Sequence, residues 1–577
     1  MLTDKLKKTQ ALLAVARGDQ PADLLLANAL IVNVFSGETE FGSVAVSGGL
    51  IAGIGDYEAT RVVDLHGAVL APGFIEGHIH VESSKLTPPR FAEAVVPHGT
   101  TCAVADPHEI ANVWGIEGIR YMLRCSKDLP LDIYYMLPSC VPATGMETSG
   151  ASLSATDLEP LLAERNILGL AEMMNFPGAL FGDPQVLAKL ALAEGGFPID
   201  GHAPRLSGKQ LAAYIASGPS TDHECSTIEE AREKLRLGMR IMIREGSTAR
   251  NLSELLPLIT PANERRFMLV SDDRRPSDLV EQGHLDHSIR RAVAEGLDSI
   301  TAIRMVTINT AETFGLADRG GIRPGWRADL VALDDLNSLQ PLKVWKDGKL
   351  VADAGKLTLA SASRISQQPH PLPVPPLTEE SFAIQDRSLP VRVIGVIPDQ
   401  IVTEKLTHRL SGCAGRLYSD SEQDIIKLAV IERHTGSGRV SVAFVKGLGL
   451  REGALASTVA HDSHNIIVAG NDDRSMLTAA KSLIRMGGGQ IATLGDKVLA
   501  EFPLPIAGLM TDQDVSSVAL LEEELGKAAK SLGCKLSDPF MALSFLALPV
   551  IPHLKLTDYG LVDVGLFKHV SLYIEQE

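Results

Sequence analysis

The sequence has no long uninterrupted apolar run, and this absence narrows the classes of protein it can belong to. No segment reaches the roughly 20 apolar residues that a membrane-spanning helix requires. The apolar stretch near the N-terminus is broken by Arg17 and Asp19, unlike the core of a signal peptide. We therefore expect a soluble protein with no membrane partner.

Cysteine and basic charge are also scarce. The 577 residues contain six cysteines, which are scattered and form no C-x-x-C pair, so we expect a reducing, cytoplasmic location without disulfides. The formal net charge is -17, whereas a nucleic-acid partner usually requires a basic patch. We expect a small neutral substrate and no nucleic-acid partner.

Two families of catalytic motif are missing as well. No G-x-S-x-G elbow follows a predicted strand, which disfavours a Ser-His-Asp hydrolase. His80-Val81-Glu82 matches H-x-E, but no P-C-x-x-C accompanies it, so the zinc deaminase design with a His/Cys/Cys site is excluded.

The composition along the chain predicts several domains, because 577 residues exceed what a single core usually fills. Short strand-like segments at 1–70 and 327–363 predict one small composite β domain, β-sandwich in type, that the intervening segment splits. Prolines cluster in a linker at 364–387. Residues 388–577 mix strand-like and helical runs, which predicts an α+β C-terminal domain.

Residues 71–326 contain eight apolar runs that alternate with helix-like stretches. This βαβα order predicts a parallel sheet, and eight units in roughly 250 residues match a (β/α)8 TIM-type barrel. The runs are FIEGHIHVE, TTCAVADP, DIYYMLPSC, ILGLAEMMN, PIDGHA, GPSTDHECS, RIMIREGS and RFMLVSDD.

Metal-liganding residue types stand where several of these runs end. His78 and His80 are two residues apart, so one strand presents both imidazoles on one face. The other candidates are Glu172, His202, His223, and Asp272 with its neighbour Asp273. Strand alternation sends only one of the two aspartates inward, and the sequence does not decide which. Imidazole and carboxylate ligands suit a divalent ion such as Zn, Mn or Fe(II), so the pattern predicts metal-assisted hydrolysis.

Several of these motifs carry a family resemblance. PGFIEGHIHVESS resembles the first-strand motif of the amidohydrolase superfamily, and ADPHEIANVWGIEGI, AEMMNFPG, DGHAP, TDHE and VSDDR are similar to its adenine deaminase branch. Two positions depart from the broad superfamily pattern. Glu76 stands where Asp is more usual, and Glu172 replaces a carboxylated lysine, which fits the adenine deaminase branch rather than cyclic-amide hydrolases.

The resemblance implies a metal site and a reaction. It places His78 and His80 on one ion, Glu172 as a bridge, His202 and His223 on a second ion, and Asp272 as the acid ligand. The ions would be Mn or Fe, with Zn as an alternative. A solvent-derived nucleophile would attack C6 of adenine, giving hypoxanthine and ammonia for purine salvage, with Glu172 and Asp272 as the catalytic residues and Asp272 as the proton carrier.

Two other functions stay open. The same metal site could hydrolyse a cyclic amide or an N-acyl group, or the barrel could be a non-catalytic scaffold, although a scaffold usually loses metal ligands. We also expect a homo-oligomer.

Further polar residues are candidates for substrate contact, each with a structural alternative. Asp106, His108 and Glu109 follow the second run and could bind substrate or a further metal, or could belong to a helix N-terminus. Arg244, Glu245 and Ser247 follow the seventh run and could form a surface ion network instead. The remaining candidates are Glu82, and His461 and His464 in the loop VAHDSHNIIVAG. We expect that loop to close over the barrel mouth, the alternative being a polar turn.

Overall fold

The computed structural model describes residues 2–247, 249–358, 372–398 and 400–575. The chain begins with helix α1 (Leu2–Ala16). Five short strands follow it, of which the first three pair antiparallel in sequence order, whereas the last two pair parallel with the first. These are β1 (Leu24–Asn33), β2 (Glu38–Ser47), β3 (Leu50–Ile54), β4 (Val62–Asp64) and β5 (Val69–Pro72).

All eight apolar runs form parallel strands. They are β6 (Phe74–Ile79), β7 (Thr100–Ala105), β8 (Asp132–Leu137), β9 (Ile167–Met173), β10 (Ile199–Gly201), β11 (Thr221–Asp222), β12 (Arg240–Arg244) and β13 (Phe267–Val270). Strands β6 to β10 form one ladder and β11 to β13 another. Backbone hydrogen bonds from Ser220 to Ile199 (3.1 Å) and from Asp272 to His78 (3.0 Å) join the two ladders. The sheet therefore closes, and the (β/α)8 fold class is confirmed.

Helices follow the barrel strands, and the last four come after β13. They are α2 (Pro88–Val95), α3 (His108–Cys125), α4 (Ala155–Leu158), α5 (Phe176–Phe181), α6 (Pro184–Ala191), α7 (Gly208–Ala216), α8 (Ile228–Arg236), α9 (Leu252–Leu255), α10 (Pro276–Glu281), α11 (Leu285–Ala294), α12 (Ser299–Met305) and α13 (Ile308–Thr313). Short polar side chains begin several of them: Thr227 caps α8 and Asp298 caps α12 by accepting a backbone N–H of the first turn.

Strands from both sides of the barrel segment share one nine-stranded sheet. After the barrel come β14 (Leu330–Leu333), β15 (Pro341–Lys346), β16 (Lys349–Asp353) and β17 (Lys356–Leu357). The sheet order is β17-β16-β15-β14-β5-β1-β2-β3, with β4 beside β1, and β14 pairs antiparallel with β5. The Lys346 ammonium lies 2.7 Å from Asp132 and 2.6 Å from Asp329, which ties this sheet to the start of β8.

The C-terminal region is built around an eight-stranded sheet of order β20-β19-β24-β23-β26-β25-β27-β28. The strands of the whole C-terminal region, six of which form two smaller sheets, are β18 (Ile384–Gln385), β19 (Val391–Val396), β20 (Thr403–His408), β21 (Gly412–Cys413), β22 (Arg416–Leu417), β23 (Ile425–Ile431), β24 (Val440–Lys446), β25 (Ala454–Ser457), β26 (Ile466–Gly470), β27 (Gly489–Leu494), β28 (Lys497–Pro503), β29 (Leu554–Thr557), β30 (Gly560–Asp563) and β31 (Lys568–His569). Its helices are α14 (Asp473–Met486), α15 (Val515–Ser531) and α16 (Pro539–Phe545). Met476 and Leu483 of α14 lie in a core cluster with strand residues of this sheet.

The C-terminal region packs on the barrel beside its mouth. The carbonyl of Lys85 accepts the N–H of Thr511 (2.9 Å), and the Lys85 ammonium lies 3.1 Å from Glu522 of α15. Arg275, just before α10, forms an ion pair with Asp538 at 2.8 Å. The barrel mouth therefore faces protein as well as solvent.

Part of the proline-rich linker, residues 364–371, lies outside the described residues. In the described remainder, Leu372 and Val374 pack against the core of the C-terminal sheet. The domain limits given from sequence stay a prediction. Among the residues that the structure describes, no helix is long and apolar enough to cross a membrane.

Candidate metal centre and active site

The six candidate metal ligands converge at the carboxyl ends of the barrel strands, where such barrels place their active sites. Five of them are buried, and His202 is partly exposed. His78 is the fifth residue of β6 and His80 follows its end, Glu172 lies in β9, and His202 and His223 directly follow β10 and β11. We call these six residues the floor; they are His78, His80, Glu172, His202, His223 and Asp272.

Glu172 lies between the histidines of opposite strands. One carboxylate oxygen is 3.3 Å from Nε2 of His80. The other is 2.6 Å from Nδ1 of His202 and 3.2 Å from Nε2 of His223. Each oxygen thus faces imidazole nitrogens from a different side, which is the arrangement a bridging carboxylate needs.

Asp272, and not Asp273, points at the first-strand histidines. Its Oδ1 lies 3.6 Å from Nε2 of His78 and 3.3 Å from Nε2 of His80. Asp273 instead accepts a hydrogen bond from the Ser83 hydroxyl. Asp272 has a positive φ of 54°, so the alternation of the strand no longer holds at this residue.

The imidazoles and carboxylates of the floor shift one another's pKa values. Burial alone would raise the pKa of Glu172, yet His202, His223 and His80 hold it well below its ordinary value. Burial would lower the pKa of His80, but Asp272 and Glu172 raise it well above the usual range. Without a cation, the floor therefore requires protons on its imidazoles to balance its buried acids.

One floor nitrogen fits a cation better than a proton. Within the described part of the chain, Nε2 of His78, which faces Asp272, is buried and has no hydrogen-bond partner. The potential ligand atoms of His78, Glu172 and His223 lie within 4.8 Å of one another, as do those of His78, His80 and Asp272. The floor thus has the residue types and spacing of a divalent-metal site.

Residues beneath the floor orient the histidines. Nδ1 of His78 lies 2.8 Å from Oδ2 of Asp200, and Nδ1 of His80 lies 3.2 Å from the carbonyl of Asp106. Fixing one ring nitrogen leaves the other free to act as a ligand. Sequence reasoning does not identify Asp200 as a site residue, although it precedes His202 by two residues in DGH.

Arg244 contacts acids of the site. Its guanidinium lies 2.9 Å from Oδ2 of Asp272 and 2.6 and 3.0 Å from the two oxygens of Glu224. Glu224 is 3.6 Å from Nδ1 of His202 and was also missed, even though TDHE places it next to His223. Arg244 thus lines the cavity as part of an ion-pair network.

The loop that precedes β26 reaches the barrel. Nδ1 of His461 lies 2.7 Å from Glu109, and Nε2 of His464 is hydrogen-bonded to the other oxygen of that carboxylate. His108 lies beside them, with Nδ1 3.0 Å from Asp106 and 3.6 Å from Glu172. The potential ligand atoms of Glu109, His461 and His464 lie within 4.8 Å of one another, as do those of His80, Asp106, His108 and Glu172.

The other candidates for substrate contact lie further out. Ser247 lines the cavity, and its hydroxyl is 2.5 Å from Asp278. Glu82 faces a neighbouring cavity of about 580 Å³ and accepts the N–H of Ile110. Glu245 is not brought to the cavity, because its carboxylate pairs with Arg291 at 2.5 Å.

The floor opens into a cavity of about 680 Å³, within the range of roughly 300–1,000 Å³ typical of small-molecule sites. The C-terminal region covers it with a mainly apolar surface, which we call the roof; its side chains are Ile397, Ile401, Met541, Phe545, Leu548 and Ile551. Phe545 stacks on His461 at 4.7 Å between ring centroids. Lys555, fully buried, donates to the carbonyls of Ile401 and Phe545 at 2.8 Å each.

Known proteins resemble this chain over almost its full length. Residues 69–351 match the Amidohydrolase family, and residues 400–568 match the Adenine deaminase C-terminal domain. "Adenine deaminase" of Desulfatibacillum aliphaticivorans is 51% identical over 97% of this chain and 99% of that protein. The chain belongs to the adenine deaminase family. "Adenine deaminase 2" of Carboxydothermus hydrogenoformans is 49% identical over 98% of this chain and 100% of its own length.

Membership of the adenine deaminase family confirms the resemblance stated from sequence, within the amidohydrolase superfamily. A solved structure, L-hydantoinase (dihydropyrimidinase) from Arthrobacter aurescens, is 14% identical with a TM-score of 0.44, covering 59% of this chain and 98% of that one. In this chain, the buried His/Asp/Glu groups of the barrel have the character of a metal-binding site.

Proposed function

We propose that this chain hydrolyses adenine to hypoxanthine and ammonia. The observation that carries the proposal is Glu172, which turns one oxygen to His80 and the other to His202 and His223, in a chain about 50% identical to proteins named adenine deaminase. In the reaction, a C6–O bond forms with an oxygen from water and the C6–N bond to the amino group breaks.

The floor would hold two divalent ions, Mn or Fe, with Zn as the alternative. His78, His80 and Asp272 would hold one, His202 and His223 the other, and Glu172 would bridge them. A bound divalent ion supplies electrophilic assistance and lowers the pKa of a coordinated water from 15.7 to around 7. The chain's own part is to orient the ligands, which Asp200 does for His78.

Asp272 would carry the proton from the attacking water to the departing amino group. One of its oxygens faces His78 and His80, and Arg244 holds the other at 2.9 Å. Burial alone would raise its pKa, but His78, His80 and Arg244 keep it well below the ordinary value, so Asp272 is ionised before the reaction begins.

The roof would bind the purine ring and exclude water. Phe545 and Met541 present apolar surface to a flat heterocycle, while the floor presents imidazoles and carboxylates to the same cavity. Arg244, Ser247, His461 and the floor-side groups Asp106, His108 and Glu109 are the proposed substrate contacts nearest the cavity. Glu82, Glu245 and His464 would act from outside it.

Steady-state release of ammonia from adenine, compared with a panel of cyclic amides and N-acyl compounds, tests the substrate. Elemental analysis of the same preparation tests the ions, and reloading the metal-free chain with Mn, Fe(II) or Zn separately ranks them. We expect turnover of adenine with two ions per chain. Turnover of an amide but not adenine, or full activity without metal, would contradict the proposal.

We also propose a cytoplasmic homo-oligomer. The six cysteines are unpaired, which supports a reducing compartment. Light scattering coupled to size exclusion measures the assembly, and a monomeric mass at micromolar concentration would contradict this part.

A further inference from the structure

The two halves of the floor are supported differently by the backbone. His78 belongs to β6, a six-residue strand that pairs with β7 from Phe74 to Glu76 and again at Ile79. His202 and His223 follow β10 and β11, which are three and two residues long and share no continuous ladder. Some other interaction must therefore fix the loops that carry His202 and His223.

Lys234 of α8 lies between these two loops. Its side chain is completely buried, and its ammonium lies 2.7 Å from the carbonyl of Ala203, 2.8 Å from Glu230 and 3.0 Å from Asp222. A buried ammonium is costly unless acceptors surround it, and Lys234 has three.

The acceptors of Lys234 bind the backbone beside both histidines. Asp222, also fully buried, accepts the N–H of Ala203 and the N–H of Glu224, each at 2.9 Å. Glu230 accepts the N–H of Arg205 at 2.7 Å. Both polar backbone groups of Ala203, the residue after His202, are therefore held by Lys234 and Asp222, and Asp222 adjoins His223.

We infer that Lys234 is a positioning residue that sets the His202 and His223 half of the floor for its ion. It contacts neither imidazole and acts through Ala203 and Asp222. The inference rests on the proposed function, because it takes the two histidines as ligands of one ion. Loss of Lys234 should then weaken that ion alone, since His78 lies within β6 and Nδ1 of His80 is held by the carbonyl of Asp106, neither of which contacts Lys234.

The test is a titration of Mn²⁺ into the metal-free full-length chain, with both binding steps resolved. Lys234→Met should weaken one of the two ions by about 10- to 100-fold, the usual effect of losing support around a ligand, and leave the other unchanged. Lys234→Arg should recover part of the loss. Equal weakening of both ions, or wild-type affinity for both, would overturn the inference.

Two further variants separate positioning from general stability. Lys346→Met is a matched control, because Lys346 is a buried lysine between two aspartates at the other end of the barrel. It should lower the melting temperature but keep both ions. Where Lys234→Met alone does not fold, the pair Asp222→Asn with Lys234→Met removes both charges and must show the same one-ion loss. A wild-type chain that binds fewer than two ions would contradict the proposed two-ion centre itself, and the inference with it.

Discussion

The floor and the roof of the cavity differ in almost every physical respect. The floor is made of buried imidazoles and carboxylates that hold one another, and it comes from strand ends of one barrel. The roof is made mainly of apolar side chains from segments more than 100 residues further along the chain. The difference indicates that the barrel provides the reactive groups, whereas the C-terminal region shapes the cavity and excludes water from it.

The largest effect is expected from a substitution at the centre of the floor. Glu172→Gln should reduce kcat by roughly two to four decades and lower the bound metal, because removing one charge from a buried cluster costs about 3–5 kcal/mol. Steady-state kinetics with elemental analysis measures both effects. The matched control is Glu194→Gln at an exposed surface position, and wild-type turnover in Glu172→Gln would refute the bridging role.

The connection between floor and roof is the next target. Glu109→Gln removes the charge that two histidines of the C-terminal loop share, so kcat/KM should fall roughly a hundred-fold. Amide hydrogen exchange in residues 459–465 should become faster.

Glu147→Gln is the control for that change, because burial raises the pKa of Glu147 well above its ordinary value. A neutral amide then replaces a neutral carboxyl that contacts Ser463 of the same loop, and little should change. Equal effects of the two substitutions would show that charge on Glu109 is unimportant.

Damage to the roof should change substrate binding more than chemistry. Phe545→Ala removes an aromatic face over the cavity and its stacking on His461, so KM for adenine should rise roughly ten-fold while kcat falls less. Phe567→Ala, on an exposed side chain of the C-terminal region, is the control. A kcat loss without a KM change would assign Phe545 to the chemistry instead.

The smallest expected effect is a difference in how pH changes the free energy of unfolding through a buried group beneath the floor and one beneath the roof. Burial lowers the pKa of His284, beneath the floor, to about 3, so this residue stays neutral when folded while the unfolded chain takes up a proton below pH 6.5. Burial lowers the pKa of Lys555, beneath the roof, to about 7. Between pH 7 and 10.5, Lys555 is therefore protonated in the unfolded chain but largely neutral in the folded one, so the free energy of unfolding should rise with pH.

Urea unfolding at a series of pH values measures these slopes. His284→Gln should flatten the loss of the free energy of unfolding between pH 6.5 and 4, and Lys555→Met should flatten the gain between pH 7 and 9. Unaltered slopes in both variants would show that neither group changes its protonation on folding.

The sequence predicts the floor well because strand ends carry a repeating signal. An apolar run that stops at a polar residue marks one place on the rim, and eight such runs place His78, Glu172, His202 and His223 together. The choice between Asp272 and Asp273 is what strand alternation left open, because the left-handed backbone of Asp272 ends that alternation.

The roof could not be predicted in the same way. Its side chains come from a loop near residue 400 and from helix α16 and the segment after it, and apolar residues there look like any core. The loop with His461 and His464 was noticed for its polarity, but its partner Glu109 depends on how two distant parts of the chain pack. Arg244 shows the same limit, because its ion pairs with Glu224 and Asp272 depend on three strands meeting.

The split sheet at the foot of the barrel has a consequence for biosynthesis. Strand β5 pairs with β14, whose residues lie about 260 positions later in the chain. A ribosome that adds about 5–20 residues per second leaves that edge of the nascent sheet without its neighbour for roughly 13–50 seconds. During that interval the growing polypeptide exposes unsatisfied amide groups, which a chaperone or a second nascent chain can occupy before the barrel is finished.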